Sequence, residues 1–317
     1  MDRGYVFAAL AAFSAVWIVC PVHAGGLYVS ADLGRNFGES LDINGRDNDR
    51  PSVCDEYINP DYALLTGTDG EPDCTGPRTG DAIQGDFSAA EGVLLGIALG
   101  QRLRASRFRV ELEYFYRDTG HDDTYHTPIG ASGTYDKSRN ELQTAMQRID
   151  SLTSHNLFAN LYLDFAQDSR LVPYIGLGIG FGFTDLKYSA LWARNTDPCA
   201  IRTGSDPASC PAVPGGAPTA IQRNLAGTTT TEDEELEDTL FGYQVLAGVD
   251  YVLTESLMLG LKGRWVRYDS FRDHDTWDQL RSHASNLRRD GSEPVTYHID
   301  MDDVEMFGIS LNLKYRF

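Results

Sequence analysis

Eight stretches of this chain alternate apolar and polar residues with a period of two. In the last of them, FGISLNLKYRF, every second residue is apolar or aromatic, from Phe307 to Phe317. Successive side chains of a β-strand point to opposite faces, so this pattern predicts a strand with one apolar and one polar face. The other seven stretches are GLYVSADLGRNF, EGVLLGIALGQRL, RFRVELEYFYRD, SHNLFANLYLDF, PYIGLGIGFGF, FGYQVLAGVDYV and SLMLGLKGRWVRY.

The connections between these stretches come in two lengths that alternate along the chain. The short connections lie around residues 104–106, 167–169 and 254–256. The long ones cover about residues 38–90, 118–152, 187–237 and 270–302. Short turns at one end and long loops at the other are typical of transmembrane barrels. The sequence therefore predicts an all-β fold: a transmembrane, eight-stranded, antiparallel up-and-down β-barrel with short periplasmic turns and four long extracellular loops.

A soluble eight-stranded barrel, such as a lipocalin-like carrier, is the alternative, because it shows the same alternation. It would place the aliphatic face inside and leave the four glycines of PYIGLGIGFGF bare at the surface. It also leaves unexplained the aromatic residues at the strand ends, which suit the interfaces of a membrane. These residues are Tyr114, Tyr116, Tyr251, Tyr315 and Phe317.

Residues 1–24 have the form of a secretory signal peptide, with Arg3, an apolar run and a small-residue site that ends at Ala24. The apolar run is also long enough for a membrane helix. Pro21 and the cleavage-like site favour the signal peptide instead. We expect residues 25–317 to form one barrel domain, and no later apolar run reaches the length of a membrane helix, so this domain would span a membrane only as a closed barrel.

Five cysteines are present, of which Cys20 lies in the predicted signal peptide. A lipoprotein interpretation of Cys20 is disfavoured, because Val19 is not the small residue expected before a lipidated cysteine. The other four form an even set, as expected of a chain sent to an oxidising compartment. We predict the bridges Cys54–Cys74 and Cys199–Cys210, because the members of each pair share one polar segment. The other pairings remain open, and free or metal-bound thiols lack the usual CxxC spacing.

The polar faces of the predicted strands would line the barrel interior, and they carry charges of both signs. Side chains can fill the interior of an eight-stranded barrel, and buried charges are tolerated when they are paired. We predict an interior ion-pair network, with arginines reaching into the space above the four glycines. A narrow ion path along the same charges is the alternative. The network comprises Asp32, Arg109, Glu111, Glu113, Asp164, Asp250, Lys262, Arg264, Lys314 and Arg316.

The long loops contain four further motifs. We expect the acidic run of TTTTEDEELED to be a solvated loop face rather than a cation site. DINGRDND misses the spacing of a calcium loop, so we predict no calcium site there. The segment DTWDQLRSHASNLRRDG favours a short surface helix. SRNELQTAMQRID fits either a helix or an extension of the strand that follows it.

The composition argues against two classes of function. A net charge of −19 makes nucleic acid an improbable partner. A Ser/His/acid set could be assembled from His298, Asp300 and a loop serine, but any loop of this polarity offers such a set. We therefore expect solvated histidines, no catalytic residues, and no cofactor or metal site. The histidines after the signal peptide are His121, His126, His155, His274, His283 and His298.

The motifs LFANLYLDF, PYIGLGIGFGF, AGVDYVLTESLMLGLKGRW and LNLKYRF resemble those of the eight-stranded outer-membrane barrels of the opacity and major surface antigen type of proteobacteria. The resemblance covers the whole mature chain. It implies a bacterial outer-membrane location, with extracellular loops and periplasmic termini. The terminal strand also resembles the signal by which the barrel assembly machinery recognises its clients, and the residues concerned are Ile309, Leu311, Leu313, Tyr315 and Phe317.

The resemblance also implies a function, because members of this family act as surface antigens or adhesins and some are porins. We therefore expect a non-enzymatic surface or envelope-structural protein that contacts outer-membrane lipids and binds a host or extracellular ligand through its loops. A small porin-like channel is the alternative, and a barrel enzyme is a third hypothesis. The long first and third loops, with their cysteine pairs, depart from the family pattern and leave the ligand unspecified.

Overall fold

The structure is a computed structural model that describes most of the strand regions of the chain. The described residues are 26–47, 82–103, 106–126, 142–166, 169–200, 217–218, 223, 226–227, 229–276, 296–302 and 304–317. The predicted signal peptide and the predicted surface helix of the fourth loop lie outside them. No helix among the described residues is long and apolar enough to span a membrane.

Thirteen β-strands run through the described part of the chain. In chain order they are β1 (Leu27–Gly38), β2 (Leu41–Asp47), β3 (Ala82–Phe87), β4 (Ala90–Arg102), β5 (Phe108–Thr119), β6 (Asp123–His126), β7 (Leu142–Asp164), β8 (Leu171–Arg194), β9 (Thr229–Val252), β10 (Leu257–Tyr268), β11 (Phe271–Thr276), β12 (Thr296–Met301) and β13 (Glu305–Arg316).

Eight of these described strands form a closed antiparallel barrel in the order β1-β4-β5-β7-β8-β9-β10-β13. Closure occurs between β1 and β13, which pair from Tyr28 opposite Arg316 to Gly38 opposite Met306. The short strand β6 pairs with β7 beyond the end of β5. Consecutive barrel strands are neighbours, which confirms the predicted eight-stranded up-and-down barrel. We call the end with the short connections the turn end and the opposite end the loop end.

The distribution of apolar residues across the barrel wall is the inverse of that in a soluble barrel. On β13, Leu311 is 59% exposed on the outside, whereas Asn312 is 1% exposed and faces the interior. We call the outer apolar surface the belt. Each barrel strand contributes to it, as Leu33, Ile97, Val110, Leu161, Leu177, Val245, Leu261 and Leu311 show. The lipocalin-like alternative requires the opposite orientation, so this architecture is that of a transmembrane barrel.

Aromatic side chains border the belt at both ends. Phe108, Tyr251 and Tyr315 are exposed near the turn end, and Phe183 and Phe241 are exposed near the loop end. Aromatic rings at these two levels match the interfacial girdles of membrane barrels. The belt is therefore bounded on both sides, as expected of a surface fitted to a bilayer of fixed thickness.

Three barrel strands reach far beyond the belt at the loop end. β7, β8 and β9 have 23, 24 and 24 residues, whereas a membrane strand needs about 9–11. Their outward side chains become polar above Phe183, with Asp185 and Lys187 on β8 and Glu235 on β9. The prediction that TTTTEDEELED forms a loop was wrong, because from Thr229 onward it pairs with β8. The segment from Leu142 is likewise an extension of β7, one of the two alternatives for that motif.

A second sheet of four strands, in the order β11-β12-β2-β3, lies at the loop end. Its strands come from the segments that were predicted to be the first and fourth loops. Its inner face belongs to one continuous apolar core with buried barrel residues such as Leu94 and Phe115. The sheet residues in that core are Leu41, Ile43, Phe87, Phe271, Ile299 and Met301. The sheet is therefore a packed part of the fold.

The belt can be tested with one charged substitution and one matched control. Leu177→Arg places a charge in the middle of the belt on β8, and an arginine facing the centre of a bilayer destabilises a barrel by about 2–4 kcal/mol. Ser189→Arg on the same strand lies beyond the belt and is expected to cost less than about 1 kcal/mol. Denaturant unfolding in lipid vesicles measures both values. Equal stability of the two variants would contradict the membrane position of the belt.

Candidate functional site in the barrel interior

The structure places the predicted interior charges in the turn-end half of the barrel. Nine of the ten predicted residues are almost fully buried there: Asp32, Arg109, Glu111, Glu113, Asp164, Asp250, Lys262, Arg264 and Lys314. The tenth, Arg316, is only partly buried at the turn end. All ten alternate with outward apolar residues, because their strands have one face toward lipid and one toward the interior.

A central cluster of four charges joins three strands. The Glu113 carboxylate of β5 accepts hydrogen bonds from Lys262 Nζ at 2.7 Å and from Arg264 Nη2 at 2.5 Å. Lys262 Nζ also donates to Asp32 Oδ2 of β1 at 2.7 Å. Two carboxylates and two cations make this cluster neutral. Removal of one member would leave an uncompensated charge in a buried site, which is strongly destabilising.

Uncharged polar side chains satisfy the remaining hydrogen-bonding groups of the central cluster. Asn160 Nδ2 donates to Glu113 Oε2 at 2.8 Å, and Gln244 Nε2 donates to Asn160 Oδ1 at 2.7 Å. Asn312 Nδ2 donates to Asp32 Oδ1 at 2.9 Å. The sequence prediction named only charged residues and missed these amides. The signal that could have identified them is their position on the inward face of the same alternating strands.

A second cluster lies closer to the turn end. Asp164 Oδ1 accepts from Arg109 Nε at 2.9 Å, and its Oδ2 accepts from Arg102 Nη2 at 2.8 Å. Lys314 Nζ donates to Asp250 Oδ2 at 2.6 Å. Arg109 Nη2 lies 3.7 Å from the same Asp250 oxygen. Arg102, absent from the predicted network, closes this cluster on the solvent side.

Aromatic rings connect the two clusters. The Glu111 carboxylate accepts hydrogen bonds from the hydroxyls of Tyr28 at 2.8 Å and Tyr162 at 2.9 Å. The Arg109 guanidinium carbon lies 4.8 Å from the ring centre of Tyr162 and 5.0 Å from that of Tyr174. Such cation–π contacts strengthen when the groups are shielded from water. The rings therefore stabilise a buried guanidinium that the carboxylates alone do not surround.

The prediction that arginines fill the space above the glycines of β8 was wrong. The side chains of β7 that stand directly opposite these glycines fill it instead. Tyr162 lies over Gly176, Asn160 over Gly178, Phe158 over Gly180 and Asn156 over Gly182, each in cross-strand register. A Cβ atom at Gly176 would lie 2.5 Å from the Tyr162 ring. The β7 side chains fill this space because β7 pairs directly with β8, whereas Arg109 and Arg264 extend from β5 and β10, which do not pair with β8.

An apolar layer covers the central cluster on its loop-end side. The inward residues one step further along the strands are Leu94 on β4, Phe115 on β5, Phe158 on β7, Val266 on β10 and Met306 on β13, all fully buried. They are part of the core that continues into the second sheet. The predicted network charges therefore lie on the turn-end side of this layer, and its five side chains offer no polar group to a passing ion.

Several buried polar groups lie beyond this layer near the loop end, and Arg117 and His121 are two of them. The Arg117 guanidinium is 5.2 Å from the ring centre of Tyr268, and its Nε and Nη2 have no hydrogen-bond partner among the described residues. His121 follows β5 and its Nδ1 lies 3.3 Å from the carbonyl oxygen of Ser88. Burial lowers the pKa of His121, and the positive charge of Arg117 lowers it further.

His298 and Asp300, the two named residues of the hypothetical catalytic set, both lie on β12 and contact other side chains. Asp300 lies 3.3 Å from the guanidinium of Arg272, whereas the His298 ring stacks on the ring of His274 with centres 5.3 Å apart. Both histidines are on the second sheet, outside the barrel. His155 faces outward at the belt, where its Nδ1 lies 2.7 Å from the hydroxyl of Tyr114. His126 lies on β6, and His283 lies outside the described residues.

Two other groups of predicted residues have known positions but untested roles. The residues of the proposed assembly signal all lie on the outward face of β13 or directly after it, where each is exposed: Ile309, Leu311, Leu313, Tyr315 and Phe317. Cys199 lies in a short 3-10 helix, Pro198–Ala200. Cys54, Cys74 and Cys210 lie outside the described residues. The recognition role and both bridges stay predictions.

Comparison with known proteins gives structural similarities only. No protein-family model and no curated protein matches the sequence. Neisserial surface protein A is 12% identical over 93% of this chain and 100% of its own, with a TM-score of 0.39. OprG from Pseudomonas aeruginosa is 13% identical over 93% and 98%, with a TM-score of 0.41. The Escherichia coli outer membrane protease OmpT is 11% identical over 94% and 99%, with a TM-score of 0.41. Similarity at this level does not transfer a function.

The central cluster predicts a large difference between two acidic substitutions. Glu113→Gln removes one of the two carboxylates that balance the positive charges of Lys262 and Arg264 in a buried site. It is expected to destabilise the barrel by about 3–5 kcal/mol. Glu91→Gln removes an exposed pair with Arg35 at 3.3 Å and is expected to cost less than about 1 kcal/mol. Denaturant unfolding of the two variants measures the difference.

A double variant separates charge pairing from side-chain loss. Glu113→Gln combined with Lys262→Met removes one charge of each sign, so the double variant should lose less stability than the sum of the two single losses. Additive losses would show that the two side chains do not interact, and would contradict the ion-pair network.

The glycine contacts predict opposite effects of two alanine substitutions. Gly180→Ala puts a Cβ 2.1 Å from the Leu157 carbonyl oxygen and 2.6 Å from the Phe158 ring, so we expect a loss of about 1–3 kcal/mol. At Gly263, which faces outward on β10, the nearest atom is 3.6 Å away, so alanine should be neutral or slightly stabilising. The temperature of the heat-dependent gel shift compares the two. A tolerated Gly180→Ala would contradict the close packing of β7 against β8.

Proposed function

We propose that this chain is a non-enzymatic outer-membrane surface protein whose closed barrel anchors a rigid structure built from β-strands at the loop end. The observation that carries the proposal is the apolar core that runs from the barrel interior into the second sheet. This core closes the barrel and fixes the sheet in place. A rigid projection suits a protein that presents a surface, whereas a conducting pore needs an open, polar path.

Hydrogen bonds fix the second sheet to the tall strand β9. The Glu237 amide donates to Asp273 Oδ2 at 2.8 Å, and the Arg272 amide donates to Asp238 Oδ2 at 2.8 Å. These bonds join β9 to β11 in both directions. The shape of the surface at the loop end is therefore fixed by paired strands. A surface of fixed shape supports recognition of an extracellular or host ligand, as in an antigen or adhesin.

The proposal includes a location and partners. The loop end would face the cell exterior, with both termini in the periplasm. Outer-membrane lipids would contact the belt, and the barrel assembly machinery would recognise the outward face of β13. The short connections at the turn end support this orientation, because outer-membrane barrels have short periplasmic turns and longer extracellular loops. The net charge of −19 disfavours nucleic acid as a partner.

A small porin-like channel is the second candidate, since the turn-end half of the interior is charged. The apolar layer formed by residues such as Leu94, Phe115 and Phe158 counts against it. A channel also needs charged side chains that are free to bind passing ions weakly. Glu113 instead forms hydrogen-bonded ion pairs with Lys262 and Arg264. A barrel enzyme has no support from the geometry of His298 and Asp300.

Conductance distinguishes the two candidates. Refolded mature protein in a planar bilayer should be silent, provided that its heat-dependent gel shift shows a folded barrel and that a known porin conducts in the same bilayer. Steady, charge-selective openings that change in Lys262→Met would refute the closed barrel and establish the channel. Conductance that is unaffected by this substitution would indicate leakage around the protein.

Orientation can be tested in intact cells that express the full chain. Asp42→Cys lies on the exposed face of the second sheet, and Glu255→Cys lies in a turn at the other end. A membrane-impermeant maleimide should label Asp42→Cys above the background of the unchanged protein and should leave Glu255→Cys at that background. The reverse pattern would place the loop end in the periplasm and overturn the proposed surface role.

A further inference from the structure

A cavity of about 60 Å³ opens at the turn end, below the second charge cluster. This is room for roughly four water molecules, or for one small tetrahedral ion. The charged residues that line it are Arg102, Arg109, Asp164, Asp250, Lys314 and Arg316. We call it the turn-end pocket. The proposed surface role does not use it.

The turn-end pocket is positively charged within a strongly acidic chain. Its four cations and two carboxylates give +4 − 2 = +2, whereas the whole chain carries −19. Glu111, which does not line the pocket, lies close enough to interact with Arg109 and lowers the local sum to +1. Glu111 is already the acceptor for two tyrosine hydroxyls. An excess of positive charge therefore remains at the pocket.

Two of the lining guanidinium groups have unused capacity to donate. Arg109 is 4% exposed, and its Nη2 has no hydrogen-bond partner among the described residues. Arg316 Nη2 donates only to the sulfur of Met258, at 2.8 Å, and Arg316 forms no ion pair in the described part of the chain. A thioether is a weak acceptor, so an anionic oxygen would replace it favourably.

A buried acceptor selects among possible anions. Asp250 Oδ2 accepts from Lys314, but Asp250 Oδ1 is buried and accepts no hydrogen bond among the described residues. An anion that carries its own O–H group can donate to a carboxylate oxygen while its other oxygens accept from arginines. Hydrogen phosphate has such a group near pH 7, and sulfate does not.

We propose that the turn-end pocket binds a small tetrahedral oxyanion of the phosphate class, held by Arg102, Arg109 and Arg316, with Asp250 accepting its proton donor. Arg102 and Arg316 are partly exposed and provide the entrance, while Arg109 forms the inner wall. The phosphate group comes either from the free ion or from a phosphomonoester lipid headgroup, because both carry a P–OH group near pH 7. In either case the site is at the end of the barrel opposite to the second sheet.

The test uses the full mature chain, refolded in phosphate-free maltoside micelles and titrated with inorganic phosphate by calorimetry. We expect saturable binding that is at least about tenfold weaker in Arg316→Gln, because this substitution removes a charged donor that forms no ion pair with a described residue. Arg107→Gln is the matched control, since Arg107 is an exposed arginine at the same end and outside the pocket. Arg316→Lys should recover part of the lost affinity.

Sulfate and lipid provide the remaining arms of the experiment. Sulfate should bind more weakly than phosphate, and equal binding would refute the role of Asp250. Nanodiscs that contain phosphatidic acid, a phosphomonoester, identify the source: loss of phosphate binding there indicates an occupying headgroup, and retained binding indicates the free ion. No saturable binding in micelles, or equal effects of Arg316→Gln and Arg107→Gln, would overturn the proposal. If Arg316→Gln shows no heat-dependent gel shift, Arg102→Gln replaces it.

Discussion

Backbone hydrogen bonding is the constraint on which the rest of this structure depends. A chain that crosses a bilayer with strands must pair every backbone donor and acceptor within itself, and the pairing of β1 with β13 completes that requirement. Closure with eight strands fixes the diameter, so the interior has room for side chains and little else. Each inward charge is then forced into contact with its neighbours. The bonds of Glu113 to Lys262 and Arg264 are a consequence of the closed sheet.

The period of two was enough to predict the barrel and the inward face of each strand, because both follow from the side of the strand on which a residue stands, but the predicted network omitted Arg102 and Arg117. It was not enough to predict contacts across strands. The packing of Asn160 over Gly178 depends on the register of β7 against β8, which no local pattern encodes. The acidic residues Asp233 and Glu235 have poor strand propensity, and only pairing with β8 holds them in β9. The second sheet was also missed, because its strands are short, lie in polar segments and are held in place by pairing with strands that are distant in the sequence.

The interior changes character along the barrel axis. The turn-end half contains the paired charges, whereas the loop-end half contains the apolar core that merges with the second sheet, together with buried polar groups such as Arg117 and Asn156. These two halves stabilise the fold by different means, since one depends on complementary charges and the other on burial of apolar surface. They also meet different surroundings. The apolar half supports the sheet that would face the exterior, and the polar half surrounds a small positively charged pocket at the opposite mouth.

The unequal lengths of the strands give the molecule a tall side and a low side. Residues 184–194 of β8 continue for roughly 35 Å of strand beyond the aromatic border, and β7 and β9 rise beside it. β4 and β5 end close to that border. The upper parts of β7, β8 and β9 would project above the membrane as a continuous wall, and β11 of the second sheet contacts β9. A large molecule that approaches the lipid surface would be kept at a distance by β7, β8 and β9, and above the end of β5 it would meet β6, which pairs with β7.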